Sequence, residues 1–264
     1  MRIVFLFLLI IISNVEAAFE NKTLSVRAEG MAGAFTAVAD GAEAIYYNPA
    51  GLAQLNLNEI TFFYTHPFDL SDLKQNLIHF AQSLPKGGRG FSYHQLIAST
   101  NYREELLIVG LGTFVHRNLC LGINFKQMYL KIGGYGQEGD IGIDVGGLYE
   151  VSPKIKMGLA IFNLNQPLID VEKSYNLGLS INPKENLTIA VDLEKTNRFD
   201  LEIRLGQEFW LTNNFCLRAG MKRNPQTQPT LGIGILINFI QLDYGCIFHP
   251  ALGPTHLFSL TKWF

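Results

Sequence analysis

From about Leu57 to the C-terminal Phe264 the chain alternates apolar with small or polar side chains, and no other property limits its possible folds so strongly. Leu187, Ile189, Val191 and Leu193 fall on one side of such a stretch, with Asn186, Thr188, Ala190, Asp192 and Glu194 on the other. Leu201, Ile203, Leu205, Phe209 and Leu211 oppose Glu202, Arg204, Gly206, Glu208, Trp210 and Thr212 in the same way. A period of two belongs to the β-strand, whose successive side chains face opposite sides. The pattern recurs about fourteen times, from near 59–66 to near 255–264. Each repeat is close to the ~9–11 residues that a tilted membrane strand needs. The expected fold is all-β: a membrane β-barrel of about 14 antiparallel strands.

The links between strands carry independent information. Short ones at Arg117-Asn118, Val151 to Lys154, Asn213-Asn214 and near Asn238 alternate with longer ones at Pro67 to Lys74, Ile132 to Gly139, Leu164 to Lys173, Asn224 to Pro229 and His249 to Pro254. Outer-membrane barrels alternate periplasmic turns with outer loops in this manner, so an even strand count is expected. Tyr149, Phe209, Phe215 and Phe264 are placed for an aromatic girdle at the headgroup level. A soluble sandwich also alternates. Its surface, however, has no reason to be rich in glycine, which weakens strands, whereas Gly142, Gly146, Gly178, Gly206, Gly220, Gly232 and Gly234 all lie on the polar side here. A barrel with something lodged in its lumen needs that room.

With 48% hydrophobic and 17% charged residues, composition alone would equally suit a soluble core. The N-terminus adds direction: an apolar run from Ile3 to Ile12 follows Met1-Arg2 and leads to Val15-Glu16-Ala17. Residues 1–17 are therefore expected to be a cleaved signal peptide, too short in its apolar part to span a bilayer as a helix. Residues 18–56 lack the two-residue beat and form a separate N-terminal segment, and 57–264 form the barrel. The expected location is the outer membrane, with the bilayer as the barrel's partner.

Several function classes are disfavoured. A formal net charge of −2 with scattered Lys and Arg lacks the basic footprint of a nucleic-acid binder. Cys120, Cys216 and Cys246 are odd in number and have no CxxC spacing, so neither a disulfide framework nor a zinc site is signalled. The enzyme alternative is an outer-membrane lipase with Ser and His on one strand face. His79 and Ser83 are four apart, but no neighbouring Asn or acid completes an arrangement, and His94, His116, His249 and His256 are isolated. No catalytic, cofactor-binding or metal residues are expected.

Gly30-Met31-Ala32-Gly33-Ala34-Phe35-Thr36-Ala37-Val38-Ala39-Asp40, followed by Ala44-Ile45-Tyr46-Tyr47-Asn48-Pro49-Ala50-Gly51-Leu52, resembles the hatch of FadL/TodX-type outer-membrane transporters. More narrowly it is similar to the PorV/PorQ branch, as are Leu242-Asp243-Tyr244, Leu252-Gly253-Pro254-Thr255-His256 and Ser259-Leu260. The resemblance implies a barrel whose N-terminal segment folds into the lumen as a plug. It also implies one of two roles: a transporter or channel for hydrophobic small molecules such as fatty acids, or an outer-membrane component that binds exported proteins in a secretion system. The chain departs from the transporters in its short outer loops.

Within the hatch, Gly30 and Gly33 allow close approach and tight turns, Pro49 fixes a bend, and the Asn48 amide can cap backbone groups hidden from water. Together with Asp40 and Gly51 these are candidates for a structural or gating role. On the barrel, Glu202, Arg204 and Glu208 with Arg218 and Lys222 on the next strand are candidates for a cross-strand charge ladder in the lumen. The terminal strand, with Phe258, Leu260 and Phe264 on one face, looks like the signal read by barrel-assembly machinery, although Lys262 departs from the usual apolar residue.

Overall fold

The computed structural model describes residues 18–19, 23–99, 101–169, 171–224 and 226–264, so the expected signal peptide lies outside the described residues. The strands are β1 (Glu59–His66), β2 (Leu73–Leu84), β3 (Gly87–Ala98), β4 (Tyr102–His116), β5 (Leu119–Ile132), β6 (Gly136–Ser152) and β7 (Ile155–Phe162), followed by β8 (Ser174–Lys184), β9 (Leu187–Thr196), β10 (Glu202–Thr212), β11 (Phe215–Asn224), β12 (Gln226–Ile237), β13 (Ile240–His249) and β14 (Gly253–Trp263). Each pairs antiparallel with its sequence neighbours, and β1 closes on β14 to complete a barrel of 14 strands. The closing register runs from Glu59 opposite Trp263 to His66 opposite His256, and Thr61 Oγ1 shares a 2.9 Å hydrogen bond with Thr261 Oγ1 across it. Closure removes the sheet edge that would otherwise present unpaired backbone groups.

The side chains sort by parity. On β9, Ala190, Asp192 and Glu194 are buried while Ile189 is exposed; on β10, Arg204, Gly206 and Glu208 are buried while Ile203, Leu205 and Phe209 are exposed. Large apolar side chains are exposed on every strand, including Phe62, Phe125, Leu177, Leu231 and Phe258. The barrel is therefore apolar outside and largely polar inside, the inverse of a water-soluble protein's arrangement. No helix among the described residues is long and apolar enough to cross a membrane.

At one end the strands are joined by two-residue turns, for example Arg117-Asn118 and Asn213-Asn214. At the other end the links differ from those expected. Strand β6 begins at Gly136 and β12 at Gln226, so the loops expected over 132–139 and 224–229 are mostly strand. Backbone pairing continued past the point where the apolar alternation fades, because ladder hydrogen bonds do not require apolar side chains. The loop from Asn163 to Lys173 is the longest at this end.

Candidate functional site within the barrel

Residues 23–56 form short turns of helix: α1 (Val26–Gly30), α2 (Ala44–Tyr47) and a 3-10 stretch from Pro49 to Gln54. Ser25 caps α1, its Oγ accepting from Ala28 N at 3.3 Å. Asn48 caps the 3-10 stretch, its Oδ1 accepting from Ala50 N at 3.1 Å, and Pro49 occupies the first position, where its missing N–H costs nothing. None of these turns is long enough to be stable alone. They persist because nearly every residue from Leu24 to Leu55 is buried.

The contacts that bury them come from the inward faces of strands all around the barrel. Asp192 Oδ2 on β9 accepts from the amides of Phe35 and Thr36 at 2.9 and 2.8 Å. Asn124 on β5 donates to the Ile45 carbonyl at 2.7 Å, and Thr230 on β12 to the Gly30 carbonyl at 3.2 Å. His79 on β2 donates from Nε2 to the Leu24 carbonyl at 3.1 Å, and Ser83 to the Leu55 carbonyl at 2.7 Å. His79 and Ser83 thus share a face, and each is engaged with backbone rather than with the other.

Asn48 is fully buried and donates from Nδ2 to the Thr36 carbonyl at 2.8 Å and to the Gly147 carbonyl on β6 at 3.1 Å. Gly51 lies against Ala39, where a Cβ would overlap the carbonyl oxygen. Gly33 adopts φ +73° in the turn that ends α1, and Gly30 abuts Arg218 and Gly232. The wall is correspondingly bare: Gly146 faces Asn48 and Pro49, Gly178 faces Thr36 and Ala37, and Gly206 and Gly220 face Met31. Two wall glycines serve another purpose than the one expected. The space at Gly142 is taken by Lys126, and that at Gly234 by Asp243 and Arg218, so these positions accommodate the wall's own charged side chains.

Those charges form chains of ion pairs. Glu208 lies directly opposite Arg218 and accepts from it at 2.7 Å, and Arg218 also donates to Asp243 at 2.6 Å. Arg27 joins from α1, reaching Glu208 at 2.9 Å and Asp40 at 2.5 Å. Arg204 pairs with Glu202 at 2.5 Å and with Glu194. It sits opposite Lys222, which lies 3.9 Å from Glu29 instead of a barrel acid. The five residues considered as one ladder fall into three groups, Glu208 with Arg218, Glu202 with Arg204, and Lys222 with Glu29, because like charges face each other at Arg204 and Lys222. Asp192, Glu194 and Asp243 had a signal in the sequence, their parity. Arg27 had none, since nothing in the irregular segment marks its direction.

A cavity of about 440 Å³ opens at the two-residue-turn end, between the inner segment and the wall, bordered by Arg27, Asp40, Glu43, Glu59, Trp210 and Trp263. Burial there pushes the Glu43 carboxyl above its ordinary range, opposed by Arg27. Two apolar clusters lie among buried polar side chains of β1 to β5 such as Gln75, Ser92, Glu104 and Lys126: Phe63 and Leu77 pack with Leu24 and Val26, and Leu106, Ile108 and Met128 pack with Ile45 and with Ile169 of the long loop. The three cysteines are free and buried. Among the described residues no group of His, Cys, Asp or Glu is placed to hold a metal ion.

This arrangement, a closed 14-strand antiparallel barrel with an apolar exterior, defines the class to which known structures can be compared. The toluene transporter TbuX of Ralstonia pickettii superposes with a TM-score of 0.71 at 12% identity, covering 93% of this chain and 100% of that one. The monoaromatic hydrocarbon channel CymD gives 0.68 at 13%, with 94% and 99% covered. A FadL homologue from Pseudomonas aeruginosa gives 0.65 at 11%, with 91% and 98% covered. At these identities the likeness is one of fold. Residues 20–138 match the model of an uncharacterised protein family, UPF0164. No curated protein matches the sequence.

Proposed function

We propose that this protein is an outer-membrane channel of the FadL/TodX type that passes hydrophobic small molecules, with residues 18–56 as a hatch in its lumen. The observation that carries the reading is an exterior apolar on every strand of a closed barrel. The exterior suits lipid. In water a continuous apolar band of this size is an association hazard, whereas in hydrocarbon it carries no penalty. The likeness of fold to hydrocarbon channels supports the same reading. The two-residue turns then face the periplasm and the long loop faces outward, with Phe264 at the periplasmic end for the assembly machinery. Neither catalysis nor a cofactor enters this proposal.

The test is uptake. Cells carrying the chain in the outer membrane should accumulate a labelled long-chain fatty acid or aromatic hydrocarbon faster than cells without it, and equal rates would defeat the proposal. A second reading, a PorV/PorQ-like component that binds exported proteins, is favoured by Tyr135 and Leu168, both more than nine-tenths exposed in links at the outer end. A lipid-free preparation carrying a stably bound secreted protein would decide for it.

A further inference from the structure

A groove of about 690 Å³ lies at the two-residue-turn end of the barrel, over the ends of β2 to β5, lined by Leu84, Pro85, Lys86, Leu111, Thr113 and Leu121. It is on the outside. Leu84, Leu111 and Leu121 are exposed, and the floor at Gly112 and Gly122 is backed by Pro49 of the inner segment, which separates the groove from the lumen. Lys86 is held at the turn, its carbonyl accepting from Thr113 Oγ1 at 3.0 Å and from the Phe114 amide at 3.1 Å. Arg89 is exposed on β3 directly opposite Leu111, and its Nε donates to Gln82 Oε1 at 2.8 Å. Its two Nη groups have no partner among the described residues. Arg117 stands in the turn of the next hairpin, and no Asp or Glu occurs from 77 to 91 or from 106 to 132.

Charge and shape together restrict what can cover this groove. An arginine on the lipid face is tolerated near the interface, where its stem lies along apolar surface and its head reaches the headgroups. Arg89 meets that condition, two residues into β3 from Gly87. An acyl chain laid along the three leucines brings its headgroup to Lys86 and Arg89, and a phosphodiester accepts hydrogen bonds from both cations. A zwitterionic headgroup carries its own ammonium, which competes for the same phosphate. An anionic headgroup carries none. A second copy of the chain fits poorly, because a two-fold contact sets Lys86, Arg89 and Arg117 against their own equivalents.

We propose that this groove holds an anionic glycerophospholipid of the periplasmic leaflet, with one acyl chain along Leu84, Leu111 and Leu121 and its phosphate at Lys86 and Arg89. This rests on the placement of the barrel in a membrane with its two-residue turns toward the periplasm, and it does not depend on what passes through the lumen.

The experiment is a competition. Purified full-length protein, washed free of lipid in detergent, is mixed with equimolar dioleoylphosphatidylglycerol and dioleoylphosphatidylcholine, and the lipid that stays bound is counted by native mass spectrometry. Wild type should retain the anionic lipid in roughly twentyfold excess, about fivefold for each of the two basic residues. Lys86→Gln and Arg89→Gln should each lower that excess about fivefold. Lys184→Gln, which removes a positive charge at the same end of the barrel but on β8, should leave it unchanged. Thr113→Trp fills the groove with a ring that suits the interface, and should remove the bound lipid while both charges remain. If Arg89→Gln lacks the heat-modifiable gel shift of a folded barrel, Lys86→Gln gives the same reading from the turn. Equal retention of the two lipids by wild type overturns the proposal, as does an excess that survives both charge changes. A lipid-free dimer as the species observed assigns the groove to a second copy and overturns it too. Solute uptake is read separately, so either result can fail while the other stands.

Discussion

Asn48 in the inner segment donates a hydrogen bond to the carbonyl of Gly147 on β6, joining two residues 99 positions apart in sequence. The same amide holds the Thr36 carbonyl, and its oxygen caps the 3-10 stretch through Ala50. One side chain thus connects three backbone segments, and the bare wall at Gly146 lets it approach.

Removing that amide should loosen the inner segment. Asn48→Ala removes the hydrogen bonds to the Thr36 and Gly147 carbonyls and leaves the Ala50 amide without its cap, at a cost of about 2–3 kcal/mol. Asn48→Asp should cost more, because it keeps the cap to Ala50 but turns a carboxylate toward two carbonyls. Denaturant midpoints of refolded protein, read by heat-modifiable gel shift, should fall in the order wild type, Ala, Asp.

Enlarging the wall beneath the segment should expel it while sparing the barrel. Gly178 faces Thr36 and Ala37, so Gly178→Leu puts a side chain where backbone now lies. The variant should still show the gel shift of a folded barrel but become cleavable by protease within residues 23–56. It should also conduct more in a planar bilayer. A variant as closed and as protected as wild type would contradict the segment's place against this wall.

The lipid-facing assignment makes a graded prediction along β9. Val191→Arg, mid-strand and outward, should impair assembly by ~2–4 kcal/mol, and Ile189→Arg, two residues from the end of the strand, by less. The inward Thr188→Arg should be the mildest of the three. Equal gel-shift yields for all three would sink the assignment of faces.

The charge network should be intolerant of single losses. Arg218→Met removes the basic partner of both Glu208 and Asp243; Glu208 retains Arg27, but Asp243 is left with hydrogen bonds from Gln241 and Ser259. The expected cost is about 3–5 kcal/mol, and it should change little with salt because the pair is shielded from solvent. Adding Asp243→Leu to Arg218→Met should recover part of the loss, measured as a double-mutant cycle on unfolding midpoints.

Much of the barrel was written into the sequence because parity is a local property. Whether Ile189 or Ala190 faces outward follows from the strand's own geometry, and fourteen consistent alternations allow few closed solutions. Strand ends were less legible at 132–139 and 224–229, where pairing continues through polar residues. Pro49 and Gly33 in the inner segment act through local backbone geometry, which residue type alone makes readable.

The sequence by itself determined the alternation, the strand count and the two faces. Tertiary structure decided which inward residues meet: that Asp192 holds the amides of Phe35 and Thr36, and that Arg27 enters the chain through Glu208 and Arg218. The reason is physical. Parity tells a side chain which way to point, but its partners are set by closure of the ring and by the path of a segment with no periodicity of its own.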